Sequence, residues 1–289
     1  MKFGMRWMLT QIGRVKVTVT YATALVVMAV MLRRLGPGSR QEVIQHASTN
    51  LHNLADGSFT TLIDSAFITQ SEYIHIWLPG LVALLALAEL LWRSRRLVVA
   101  FAVGHVGTTL IVAVGIAAAL RAGLVEGSIA DAADVGMSYG AVAVLGTLTT
   151  ALPRRWSAAW AGGWLALAAG SVLASGGDFT TIGHAVALMI GMTVGTRFGE
   201  PSPWTSTRYG LLVVASAFGY LMICFGYLSL GASAAIGALG AVLGTAVLGT
   251  ALSFARRPAQ TNSSALASIQ SDSHASGGHS SNSPGISHS

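Results

Sequence analysis

The sequence predicts an all-α polytopic membrane protein, and three observations predict it. The chain of 289 residues is 53% hydrophobic and only 10% charged, against about a quarter charged in ordinary globular domains, and its mean hydropathy is +0.62. Uncharged runs recur, each near the ~20 residues that a helix rising 1.5 Å per residue needs to cross ~30 Å of hydrocarbon. Lys and Arg gather in alternate connections between those runs.

The spans read as 17–32, 73–92, 97–120, 135–152, 157–174, 181–196, 209–230 and 233–254. The first lies deep in the chain and is not followed by a small-residue cleavage site, so it reads as a retained span and not a removable signal. With the N-terminus inside, the inner segments hold Lys2, Arg6, Arg14, Lys16, Arg93, Arg95, Arg96, Arg154, Arg155, Arg197, Arg208, Arg256 and Arg257, whereas the outer ones hold only Arg33, Arg34, Arg40 and Arg121. Positive loops are retained on the cytoplasmic side. The expectation is eight helices in the cell membrane with both termini cytoplasmic.

Along the chain this gives a cytoplasmic segment 1–16, six helices over 17–197 with a long outer loop at 33–72, a linker at 198–208, a helical hairpin at 209–254 and a tail at 255–289. The outer loop carries Leu51, Leu54, Phe59, Leu62, Ile63, Phe67 and Ile68, a pattern of short amphipathic pieces ordered at the membrane interface. The hairpin's Gly237, Gly240, Gly244 and Gly249 read as positions where helices approach closely. The tail, rich in Ser, His, Asn, Gly and Ala, cannot bury a core and reads as disordered.

Several functions are excluded. A net charge of +6 falls in short clusters at span ends, which membrane topology explains and nucleic-acid binding does not. One cysteine, Cys224, allows neither an intramolecular disulfide nor a multi-cysteine metal site. No cofactor or metal is expected, and the oligomeric state is not written in the sequence.

An ionisable side chain in hydrocarbon is costly, so each one within a span must face protein, water or a partner. The candidates are His75, Glu89, His105, Ser138 and His184. Because the chain reverses at every crossing, the starts of spans two, four and six share the outer layer, where His75, Ser138 and His184 can converge. His105 lies deeper and reads as a buried histidine bonded to another helix, with Glu89 a candidate partner.

Ser138 sits in D-V-G-M-S-Y-G at 134–140. A membrane serine commonly bonds a carbonyl one turn back, and Gly136 and Gly140 form a G-x-x-x-G pair that suits helix packing. Both roles are compatible with an exposed hydroxyl, since two residues turn the helix by roughly 200°. The nucleophile elbow of soluble hydrolases does not apply, because it needs a strand before the serine. The chain order Ser138, Asp178, His184 reads as coincidence, with Asp178 close enough in sequence to influence His184.

Four stretches over about 17–197 together resemble the rhomboid family of intramembrane serine proteases: D-S-A-F-I-T-Q-S-E-Y-I-H-I-W-L-P at 64–79, Glu89 with L-L-W-R-S-R-R-L after it, G-M-S-Y-G-A-V-A-V-L-G at 136–146, and G-H-A-V-A-L-M-I-G at 183–191. The resemblance implies a rhomboid-like six-helix bundle, to which this chain adds a C-terminal hairpin. It implies a Ser138–His184 dyad, with His75 and backbone N–H groups around Gly136 and Ser138 holding the oxyanion or substrate. The substrates it implies are transmembrane helices that enter from the bilayer. The sequence departs from the family pattern at Pro79, where an Asn is expected, at Tyr139, where a Gly follows the serine, and at Val142, where an aromatic residue is usual. A catalytically inactive rhomboid-like protein that binds client transmembrane segments therefore stands beside the protease reading, and a transporter is the third possibility.

Overall fold

The computed structural model describes residues 13–69, 74–132, 135–224 and 226–255. Lys2, Arg6, Glu72, Asp134 and the tail with His274, His279 and His288 lie outside the described residues. Every regular element among the described residues is helical.

Helix α1, Lys16–Arg34, leads into the outer loop, which is folded. It contains α2 (Pro37–Ala47), opened by a proline at its first position, where the missing N–H is not needed. There follow α3 (Leu51–Ala55), capped by the Asn50 side chain, α4 (Thr61–Asp64) and a 3-10 turn at Ser65–Phe67. Leu32, Ile44 and Ile68 form a small buried cluster that ties this loop to the end of α1. Phe59 and Ile63 are exposed.

Helix α5, Ile74–Arg121, has 48 residues, about 72 Å at 1.5 Å per residue, more than twice the ~30 Å hydrocarbon core. It breaks at Arg93, where φ is 70° and ψ is 163°, so it is two limbs, 74–92 and 94–121. Helix α6 is Ser138–Ala151, α7 Arg154–Ala174, α8 Phe179–Gly195, α9 Ser206–Ile223 and α10 Leu230–Ala255. Among the described residues, α1, α5, α7, α9 and residues 230–250 of α10 are long and apolar enough to cross a membrane, and α8 is a shorter apolar helix. The chain is a multi-pass helical membrane protein.

Helix α6 is the centre. Residues 139–148 are all buried, as expected of a helix apolar on every side. Its closest neighbours are α8 and α5, and small residues make that approach possible. A Cβ added at Gly191 would lie 1.9 Å from the Ala143 carbonyl oxygen, one at Gly146 2.4 Å from the Leu188 oxygen, and one at Gly104 2.0 Å from the Ala143 Cβ. In lipid, where apolar surface gains nothing by leaving solvent, such backbone approach supplies the packing energy.

Up to Thr245 the chain forms one compact unit. Within it α9 contributes Ala215, Phe218 and Ile223 to the core, with Phe218 filling the notch at Gly80. Gly240 and Gly244 of α10 meet Gly162 and Ala158 of α7 at backbone distance.

Candidate functional site

The central helix starts at Ser138 and not at 135, the expected start of the fourth span. Gly136 lies before it with φ 128°, and a Cβ added there would meet nothing within 4 Å. The helical G-x-x-x-G pairing of Gly136 with Gly140 is therefore corrected. Gly136 serves a backbone conformation that L side chains rarely adopt, and only Gly140 packs, 2.7 Å from the Phe101 ring for an added Cβ. The Gly136 N–H donates to the Ser65 carbonyl at 2.8 Å, which fixes the approach to the helix.

Ser138 is half-buried and opens α6, preceded by Met137 with no side-chain cap. The first intrahelical bond at this end runs from the Ala141 N–H to the Met137 carbonyl, 2.9 Å. The N–H groups of Ser138 and its two successors precede that ladder, at the positive end of the helix dipole.

On α8, Asp178 accepts from the N–H groups of Thr180 at 3.0 Å and Thr181 at 3.4 Å, so its carboxylate caps the helix. His184 follows one and a half turns later and is buried, and neither ring nitrogen has a hydrogen-bond partner among the described residues. No hydrogen bond therefore joins it to Ser138 or to Asp178. What meets the His184 ring is Tyr139, edge-on, with ring centroids 5.7 Å apart. Tyr139 also lies over Gly183, where an added Cβ would come 2.4 Å from its Cε1. The first turn of α6 thus lies against the N-terminal half of α8, which puts Ser138 and His184 in one layer.

His75 is exposed in the first turn of α5. Pro79, also exposed, continues that helix. Having no N–H, Pro79 cannot itself make the i to i−4 helical bond to residue 75.

The expected pairing of His105 with Glu89 is not formed. His105 instead bonds through Nε2 to the Ser65 Oγ at 3.1 Å. Ser65 Oγ in turn accepts from Thr49 at 2.8 Å, and Thr49 also donates to the Thr61 carbonyl at 3.1 Å. The outer loop reaches down to the second limb of α5 and pairs one nitrogen of its histidine there, while the buried Nδ1 has no hydrogen-bond partner among the described residues. Glu89 turns to α1: it accepts from the N–H of Val17 at 3.0 Å, from the N–H and hydroxyl of Thr18 at 2.9 and 2.7 Å, and from Ser94 at 2.6 Å. A carboxylate at a helix N-terminus satisfies orphan donors and complements the dipole.

Ser65, Thr49 and Thr18 carry these networks and were not singled out as polar centres in the sequence. Ser65 stood in the D-S-A-F stretch, and its partners are distant along the chain. Among the described residues no three His, Cys, Asp or Glu side chains cluster as a metal site would require.

A short central helix buried over 139–148, with a serine at its half-buried start, beside a helix carrying a buried histidine, defines a multi-pass membrane protein organised about that pair of helices. The chain belongs to the rhomboid-like protein family, whose model matches residues 12–197. No curated protein and no solved structure matches it.

Proposed function

We propose that the protein is an intramembrane serine protease of the cell membrane, cleaving transmembrane segments with a Ser138–His184 dyad, both termini being cytoplasmic. The observation that carries this reading is His184, a buried imidazole without a hydrogen-bond partner on either nitrogen among the described residues, in the layer where Ser138 begins α6. A buried polar group left unpaired costs about 1–3 kcal/mol, and such costs concentrate where chemistry uses the group.

Ser138 Oγ attacks the scissile carbonyl while neutral His184 takes its proton and later delivers it to the leaving amine. The uncapped N–H groups at the start of α6, with His75, receive the oxyanion, and Gly136 shapes the turn that presents them. Helix α6 has 14 residues, about 21 Å, short of the ~30 Å core. With Arg154 and Arg155 at its far end near one surface, the Ser138 end stops below the other, within reach of water and of a substrate helix unwound at its amide.

A second reading, an inactive rhomboid-like protein that binds client transmembrane segments, is favoured by Tyr139 standing on His184 and by Pro79 in place of an amide donor. A fluorophosphonate probe on detergent-solubilised protein separates them. Labelling of wild type that disappears in Ser138→Ala and falls sharply in His184→Ala is expected of the protease; equal labelling of wild type and Ser138→Ala defeats it.

A further inference from the structure

Away from Ser138 and His184, a cavity of about 560 Å³ lies between α1, the folded loop and the second limb of α5. Lys16, Val17, Tyr21 and Ala24 line it from α1, and Leu97, Val98, Phe101, Ala102 and His105 from α5. Leu62, Ile63, Ala66 and Phe67 of the loop close the end nearest His105. The Tyr21 hydroxyl donates to the Ala66 carbonyl at 2.6 Å, and its ring stands edge-on to Phe67 and Phe101, so roof and walls are held together. Val98 and Ala102 are exposed on its rim.

The walls are apolar along their length. From Lys16 to Ala24 and from Leu97 to Val106 the groove runs about 12–14 Å at 1.5 Å per residue. The cavity's size falls in the range of small-ligand sites, roughly 300–1,000 Å³. An apolar cavity does not hold water, and in a bilayer the material that meets its rim is hydrocarbon, which restores the dispersion contacts the walls would otherwise lose.

One end is strongly cationic. The Glu89 contacts to Val17, Thr18 and Ser94 bring the start of α1 beside the turn between the limbs of α5. Arg14, Lys16, Arg93, Arg95 and Arg96 are all exposed there, and none forms an ion pair with a described residue. We infer that this groove is a binding site for an anionic glycerophospholipid, one acyl chain lying between α1 and α5 under the loop and the phosphate held at Lys16. The charge at its mouth selects the headgroup, and the apolar walls take the chain.

The test is independent of proteolysis. The full-length protein is placed in nanodiscs of phosphatidylcholine with a trace of phosphatidylglycerol bearing a diazirine on one acyl chain, and the crosslinked positions are mapped by mass spectrometry. Label should concentrate within 17–24, 62–67 and 97–106. Ala102→Phe and Val98→Phe, both at exposed rim positions, should lower it several-fold with thermal unfolding unchanged. Lys16→Gln should reduce the preference for phosphatidylglycerol over a phosphatidylcholine probe of the same chain about fivefold, the factor one cation near an anionic surface contributes. Label spread evenly over lipid-facing positions such as Leu239 and Val242 overturns the site, as does label indifferent to both groove-filling variants or displaced by a transmembrane peptide. Equal capture of the two probes by wild type overturns the headgroup assignment.

Discussion

The Tyr139 ring meets the His184 imidazole edge-on, with the ring planes at 77°, on the face left open by Gly183. With no hydrogen bond to either nitrogen of His184 among the described residues, this contact and the surrounding burial hold the imidazole in place. Such T-shaped pairs contribute ~0.5–1.5 kcal/mol beyond their buried area. The residue that departs from the family pattern next to the serine is therefore the one that packs on the histidine.

Gly183→Ala should destabilise the protein by about 1–3 kcal/mol, the usual cost of overpacking, because its Cβ would intrude on the Tyr139 ring. Thermal unfolding in detergent checks this. Removing the ring as well, in Gly183→Ala with Tyr139→Ala, should give a loss smaller than the sum of the two single changes; strict additivity would show that the contact does not couple the two helices.

Under the protease reading, Tyr139→Phe keeps the ring contact and should leave the rate of fluorophosphonate labelling near wild type. Tyr139→Ala should slow it up to about tenfold, the equivalent of ~0.5–1.5 kcal/mol of lost ring restraint. Faster labelling in Tyr139→Ala would instead mean that the tyrosine shields the histidine, as the inactive reading has it.

Gly191→Ala should be far more damaging than Gly107→Ala. The first brings a Cβ within 1.9 Å of a backbone oxygen, which has no rotamer to escape by, whereas the second meets only the Ile190 Cδ1 at 3.4 Å. The expected result is loss of a monodisperse folded fraction on size exclusion for Gly191→Ala and near-normal behaviour for Gly107→Ala.

Glu89→Gln retains the shape of the side chain but removes the charge from four hydrogen bonds, of the kind worth about 1.5–3 kcal/mol each when charged. Hydrogen exchange should rise first at the amides of residues 17–20, because α1 loses its anchor. Ser94→Ala should produce a smaller effect in the same region.

Arg93→Gly should stabilise the turn between the limbs of α5 by about 1 kcal/mol, since a non-glycine residue at φ 70° carries a steric cost that glycine escapes. A rise in unfolding temperature is the expected outcome, and a fall would show that the arginine side chain compensates for the strain.

Each uncharged run in the sequence carries a helix, because hydrocarbon forces the backbone to satisfy its own hydrogen bonds and helices do so within one segment. The fourth and seventh runs differ in their boundaries, the seventh ending as a helix at Ile223 and not at 230, with the next helix starting at Leu230. In the fourth, hydropathy continues through Val135 and Gly136, but Gly136 takes a positive φ and the helix starts at Ser138. Gly136 and Gly140 look equivalent as letters, and only the backbone separates a turn glycine from a packing glycine. His105 was legible as a buried polar group, but its partner was not, since Ser65 lies 40 residues away in the chain.

The sequence alone determined the class of protein and the membership of its family, because composition and helical length answer to the bilayer, a solvent that acts on every segment separately. It also picked out Ser138 and His184 as polar residues that needed a reason to be there. Tertiary structure alone decided what each polar side chain meets: Tyr139 on His184, Ser65 on His105, and Glu89 on the start of α1. Those pairings depend on which glycines let two backbones approach and on where a loop folds back into the bundle, and both are properties of packing between distant segments that no local pattern encodes.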